Sequence, residues 1–218
     1  TARSGGFWAG IEFLPAGEPT WQPWLPQAVL NSQALYANWL VLTPGWTVTR
    51  TSPFVFAPLA GSDPLFTDTS HLVAGVRALN LNAAIFPGVD LRMETDAWWG
   101  STAHDSGWWT NWFIRYQAFA RYHADLAAQS GAKALILGGE WVLPALPDGQ
   151  INGSSSGVPA DAESRWRAIL ADVRSRFNGT LLWAVAYPDD LASTPVFASE
   201  SASSRIRRSK GNASISRL

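Results

Sequence analysis

The sequence predicts an α/β protein with a parallel sheet of the (β/α)8 TIM-barrel type, incomplete, with about five strands present. Three observations carry that expectation. Short apolar runs alternate with longer stretches of helical spacing, the order that produces parallel strands joined by right-handed crossovers. The runs are continuously apolar rather than alternating, as strands covered on both faces are. Most of them end in Pro-Gly or Gly-Gly beside an acidic or aromatic residue, at the end where parallel α/β folds bind their ligands. No Gly-x-Gly-x-x-Gly or phosphate loop follows the first run, which favours a barrel over an open doubly wound sheet.

Taken in order, residues 7–14 read as the first strand, with Glu12 near its end and Pro15-Ala16-Gly17 closing it. A helix over 27–37 carries Val29, Leu30, Ala34 and Leu35 on roughly one side. The second strand, from Trp39, breaks at Pro44-Gly45 and is followed by Trp46; residues 47–64 read as a long Thr-, Ser- and Pro-rich loop of the kind that is often functional. Thr67 or Asp68 caps a second helix built on Leu72, Val73, Val76 and Leu79. The third strand, 83–90, again breaks at Pro-Gly and ends on Asp90. A loop through Trp98, Trp99, His104 and Asp105 leads to the clearest helix, in which Trp108, Trp112, Tyr116, Phe119, His123 and Leu126 recur at three/four spacing. Gly131 stops it.

The fourth strand is Ala132 to Gly139, and Glu140-Trp141 follows directly. Glycine there lets another backbone or a ligand approach the strand end closely. Asp161 caps a fourth helix with Trp166, Ile169, Leu170, Val173 and Phe177 inward, and Asn178-Gly179 ends it. Residues 180–187 form the fifth strand, closed by Pro188-Asp189-Asp190. The reading is one barrel-like domain over 1–192 and a polar, disordered Ser/Arg-rich tail over 193–218.

A net charge of −1 gives no electrostatic case for nucleic acid or an anionic membrane surface. No apolar segment reaches the length of a membrane span. The absence of cysteine excludes a disulfide framework and thiolate metal sites, and the three histidines make no ligand motif, so neither metal nor cofactor is expected. The chain starts at Thr1 without a signal core, as a processed or cut end would. Thirteen tryptophans stand out. Their apolar faces and polar edge suit the faces of sugar rings, and they also fill cores.

If the strands are parallel, Glu12, Asp90, Glu140, Asp189 and Asp190 gather at one rim with Trp46, Trp98, Trp99, Trp141 and Tyr187. Carboxylates among indoles are what glycoside hydrolysis needs: an acid, a second carboxylate and stacking walls. Glu140 is the candidate acid/base, expected at the carboxyl rim, partly buried and close to Trp141 or Trp46. Trp46, Asp90, Trp98, Trp99, Trp141 and Tyr187 are the candidate substrate contacts. For Glu12 and Asp90 a hydrogen bond to a loop backbone is an equally good account. Trp108, Trp112 and Trp166 are assigned to the core.

The run Trp109-x-x-Trp112-Phe113-x-x-Tyr116-x-x-Phe119-x-x-Tyr122-x-x-Asp125-Leu126-Ala127, then Leu135-Ile136-Leu137-Gly138-Gly139-Glu140, resembles glycoside hydrolase family 113 and related clan A barrels. The resemblance covers residues 7 to 190. It implies a retaining hydrolase of β-linked glycans whose fourth strand ends in the acid/base, here Glu140, with an oligo- or polysaccharide substrate and an extracellular or cell-envelope setting. Two departures accompany it. Gly139 stands where many such enzymes carry an Asn that contacts the sugar 2-hydroxyl. The nucleophile of the family ends a seventh strand, beyond the five read here, and Glu200 in the tail is a poor substitute. The chain alone is therefore expected to be inactive. The competing reading is a non-catalytic carbohydrate-binding or scaffold protein with the same Trp-lined rim.

Overall fold

The computed structural model describes residues 8–13, 22–187, 195, 197 and 204–209. Its main sheet contains β1 (Gly10–Phe13), β2 (Trp39–Leu42), β5 (Asn82–Ile85), β7 (Ala134–Gly138), β10 (Thr180–Tyr187) and β11 (Ser204–Ser209). All neighbours pair in parallel in that order, so the chain adds each strand on the same side as it proceeds. Helices α1 (Leu25–Ala34), α2 (Phe66–Ala78), α4 (Ser106–Ser130) and α5 (Ala162–Arg176) fill the crossovers. This is the parallel strand–helix architecture expected of an incomplete barrel. Among the described residues β1 and β11 remain as edges, and the sheet is open.

Strand alternation sorts the core into two layers. Leu40, Leu42, Ala83, Ile85, Leu135, Leu137, Leu181 and Trp183 face the helices and join their apolar stripes in one large cluster. Trp39, Val41, Ala84, Ala134, Ile136, Leu182 and Ala184 form a smaller cluster on the opposite, inner face. Both faces being apolar explains why the runs looked continuous in the sequence.

The longest element, α4, has both ends specified locally. Asp105 accepts a hydrogen bond from the Trp108 backbone N–H at 2.7 Å, and Gly131 adopts φ +76° to turn the chain out of the helix. Its inward stripe is aromatic: Trp112 stacks on Tyr116 at 5.2 Å, and Tyr116 meets Trp166 of α5 at 4.7 Å.

Several expectations are corrected here. The stretch read as a long loop over 47–64 holds β3 (Gly45–Thr51) and β4 (Phe54–Ala57), which pair antiparallel and, with β6 (Gly88–Asp90), make a second sheet of three strands. Threonine suits a pleated, half-buried ribbon, and Phe54 and Phe56, alternate residues of β4, turn their rings into the core. Trp98 and Trp99 lie on a short helix, α3 (Thr95–Gly100), and not on a loop. Residues 204–209, read as part of a disordered tail, form β11, paired in parallel with Leu182–Tyr187 of β10. Backbone pairing needs no apolar run, and arginine and serine are common on an edge strand. No helix among the described residues is long and apolar enough to cross a membrane.

Candidate functional site

The carboxyl ends of β1, β2, β5, β7 and β10, with the neighbouring loops, enclose a cleft of about 690 Å³. Glu12 from β1, Thr43 after β2, Phe86-Pro87 after β5 and Gly138-Gly139-Glu140-Trp141 after β7 line it, with Ala184 and Val185 of β10. The second sheet closes one side through Gly45 and Gly88 to Asp90, and the segment before α2 contributes Ser62, Asp63 and Pro64.

The Gly-Gly step sets the position of Glu140. Gly138 ends β7 with φ +90°, and a Cβ there would lie 2.8 Å from the Trp183 ring and 3.0 Å from the Ala184 carbonyl oxygen. Gly139 follows at φ +98°, ψ 172°, a region essentially restricted to glycine. Its N–H still donates to the Ala184 carbonyl at 3.1 Å, so the turn is made while the ladder is held. Glu140 then opens a 3-10 helix, Glu140–Ala145, at the carboxyl rim. It is exposed, not partly buried as expected, because the turn lifts it clear of the strand. Trp141 beside it is half-buried, with its ring against Tyr116 at 5.4 Å and Phe119 at 6.0 Å. Behind the step, burial drives the Tyr116 phenol far above its ordinary value, an effect the adjoining Gly138 backbone only partly offsets.

The other cleft carboxylates are engaged. Asp90 is exposed and accepts from the Arg92 backbone N–H at 2.8 Å, with the Arg92 guanidinium at 3.0 Å. This is the loop-backbone bond that the sequence offered as the alternative to catalysis. Asp63 is buried, and its carboxylate accepts from the Thr47 hydroxyl at 2.9 Å and the Leu59 N–H at 2.8 Å. Glu12 is exposed and is also not free of partners.

Three of the expected sugar contacts are absent from the cleft. Trp98 and Trp99 are each 1% exposed, packed edge to face at 4.9 Å inside the aromatic cluster. No ring face remains for a ligand. Trp99 instead donates its indole N–H to the Trp141 carbonyl at 3.0 Å, so it supports the site from beneath. Trp46 is buried as well, among Phe56, Phe119, Tyr122 and His123. Tyr187 is the last residue of β10, and Asp189, Asp190 and Glu200 lie outside the described residues.

The sequence reading missed Phe86, Thr43 and Asp63. Phe86 had a usable signal: it sits immediately before a Pro-Gly break, where Trp141 sits after a Gly-Gly one. Asp63 had none, since its partners Thr47 and Leu59 come together only when β3 folds against the segment before α2.

No family model matches the sequence, and no curated protein matches it either. Solved structures do. The GH113 β-mannanase of Alicyclobacillus acidocaldarius, solved in complex with ManMIm, is 18% identical with a TM-score of 0.70, over 94% of this chain and 62% of that one. A GH113 β-1,4-mannanase is 13% identical with a TM-score of 0.71, over 93% and 62% respectively. A GH18 chitinase from Pseudoalteromonas aurantia is 12% identical with a TM-score of 0.51, over 91% and 65%. The chain thus spans less than two thirds of the length of these enzymes. Its fold is that of a GH113-like TIM barrel, of which it carries the parallel strand–helix units described above.

Proposed function

We propose that the cleft is the glycan site of a glycoside-hydrolase-like domain acting on β-linked glycans. The observation that carries the reading is the position of Glu140-Trp141 after a glycine-only turn at the carboxyl rim, in a fold shared with GH113 β-mannanases. In a retaining mechanism Glu140 would protonate the leaving glycosidic oxygen and later take a proton from the attacking water. Its exposure gives it access to a bound chain. Trp141 and Asp90 would contact the sugars.

Such a mechanism also needs a carboxylate nucleophile about 5–5.5 Å from the acid. Glu12, Asp63 and Asp90 share the cleft with Glu140, and all three are engaged by other groups. That observation supports the second reading, a domain that binds glycan without cleaving it. The 218-residue chain is accordingly expected to bind a β-1,4-mannan oligosaccharide and not to hydrolyse it.

The test is isothermal titration and product analysis on the purified chain with β-1,4-linked mannohexaose and cellohexaose. Binding without product is the expected result. Turnover that disappears in Glu140→Gln would establish the hydrolase and overturn the binding-only expectation. No binding to either glycan by the wild-type chain would refute the glycan site itself.

A further inference from the structure

The Gly138-Gly139 step needs something to select its conformation, because paired glycines are the least constrained backbone a chain can carry. Both residues adopt positive φ, and Glu140 follows them at the start of a 3-10 helix too short to fix its own direction. On one side the ladder makes the selection, where the Gly139 N–H donates to the Ala184 carbonyl of β10 at 3.1 Å. On the other side the ladder stops early. There β5 pairs with β7 only at Ala84–Ala134 and Ile85–Leu135, short of Gly138, which is itself buried. Tyr116 of α4 meets the backbone at that point. Its phenol forms a hydrogen bond with the Gly138 backbone, and this bond opposes the rise in pKa that burial causes. A bond with that effect favours the phenolate, so the oxygen accepts and the Gly138 N–H donates. The ring is fixed by its neighbours: it is 1% exposed, stacked on Trp112 at 5.2 Å and edge-on to Trp166 at 4.7 Å, with the Trp141 ring at 5.4 Å.

We infer that Tyr116 is a positioning residue of the cleft: it selects the Gly138-Gly139 conformation that presents Glu140 and Trp141, and it acts on a ligand only through them. Its bearing on a ligand rests on the reading of the cleft as a glycan site; its hold on the step does not. One side chain touches both the backbone before Glu140 and the ring after it, which couples the two residues that face the cleft. Phenylalanine at this position keeps the ring packing and leaves the buried Gly138 N–H without its acceptor. The step then relaxes toward conformations in which that N–H finds another partner. The cleft is competent for only part of the time, and the apparent affinity falls by that fraction.

The experiment follows amide exchange residue by residue by NMR on the full chain, beside titration with β-1,4-linked mannohexaose. In the wild type the Gly138 amide should exchange as slowly as those of Ile136 and Leu137 in β7. Tyr116→Phe should speed exchange from Gly138 to Trp141 and leave Ile136 and Leu137 unchanged. It should also weaken mannohexaose binding about tenfold, or about 1.4 kcal/mol, the size of one net hydrogen bond. Val173→Ala, which removes buried volume near the end of α5, is the comparison for a purely structural loss. It should lower the melting temperature and leave both the exchange at Gly138 and the affinity as in the wild type. Unchanged exchange at Gly138 in a folded Tyr116→Phe chain overturns the positioning role. Faster exchange with an affinity within about twofold of wild type overturns its bearing on the site. If Tyr116→Phe does not fold, the wild-type measurement decides, since a Gly138 amide that exchanges like an exposed turn has no acceptor in Tyr116. A wild-type chain that does not bind mannohexaose removes the glycan reading, and the exchange measurement still decides whether Tyr116 holds the step.

Discussion

His123 makes folding stability fall with acidity in a window set by its burial. The ring lies in α4 with no exposure, and its Nδ1 is 2.9 Å from the Phe119 carbonyl oxygen, which places the proton on Nδ1. Nε2 has no partner among the described residues. Protonation would put a charge among Phe119, Tyr122 and Trp46, and burial pushes the pKa from its ordinary 6.5 to about 3, with the Phe119 bond opposing only in part. The sign follows directly. Below pH 6.5 the unfolded chain binds a proton that the folded chain refuses, so stability declines as pH falls toward the folded value. Each pH unit is worth about 1.36 kcal/mol, so the loss between pH 6.5 and 5 is about 2 kcal/mol. The surrounding rings offer a cation–π attraction of ~0.5–2 kcal/mol. That would raise the folded pKa by about one unit and leave this window intact. Urea denaturation at half-unit intervals from pH 7.5 to 5 gives the slope, compared between wild type and His123→Phe. The variant should stay within about 1.5 kcal/mol of wild type at pH 7 and lose most of the slope. His104, lowered by burial in the same direction, accounts for what remains. An unchanged slope in His123→Phe would refute the argument.

Three further outcomes are expected. Trp112→Ala, at a residue with no exposure between Tyr116 and Trp166, should cost ~3–5 kcal/mol in urea denaturation, whereas Trp24→Ala, 68% exposed, should stay within about 0.5 kcal/mol. Gly138→Ala should lose about 1–3 kcal/mol from backbone strain alone, plus the Trp183 contact, and a melting temperature equal to wild type would show that the strand end relaxes freely. At Asp172, burial raises the carboxyl but hydrogen bonds from Arg121, Arg176 and Gln117 outweigh it, so its pKa lies below the ordinary 3.8. The stability it supplies is complete above that ordinary value and is lost as pH falls through the lowered one; Asp172→Asn should be less stable than wild type at neutral pH, and the two should converge in acid.

How much of this was legible in the sequence depended on whether a local pattern carried the information. The strands β2, β5, β7 and β10 announced themselves because both of their faces are apolar, and α4 because its twelve buried residues follow one helical stripe between a capping Asp105 and Gly131. Of the β3–β4 ribbon, only β4 was written locally, in the alternation Phe54-Val55-Phe56, and the threonines and proline around it made the stretch look like a loop. Adjacent Trp98 and Trp99 misled for a tertiary reason. Neighbours on a helix point about 100° apart, and both can be buried only when the helix is enclosed on two sides. The cleft entrance was legible at Gly138-Gly139-Glu140, since paired glycines at a strand end mark a turn that other residues cannot make.

Trp46, Trp98 and Trp99, read as ligand platforms, are buried one layer below the site, with Trp108, Trp112 and Trp166, which the sequence assigns to the core. Three buried indoles satisfy their N–H on the backbone of the segments that shape the cleft, while those of Trp46, Trp98, Trp109 and Trp112 have no partner among the described residues. Trp99 donates to the carbonyl of Trp141, and Trp166 donates at 2.8 Å to the carbonyl of Ala145. Those carbonyls belong to the second and last residues of the 3-10 helix that begins with Glu140. Trp108 likewise donates at 2.8 Å to Thr51, the last residue of β3, whose first residue, Gly45, lines the cleft. The Glu140 helix is too short to hold its own geometry, so its placement is set by these N–H groups, which α3 and α5 carry into position. High tryptophan content and the cleft are therefore linked through the framework: buried rings fix the backbone from which Glu140 and Trp141 project.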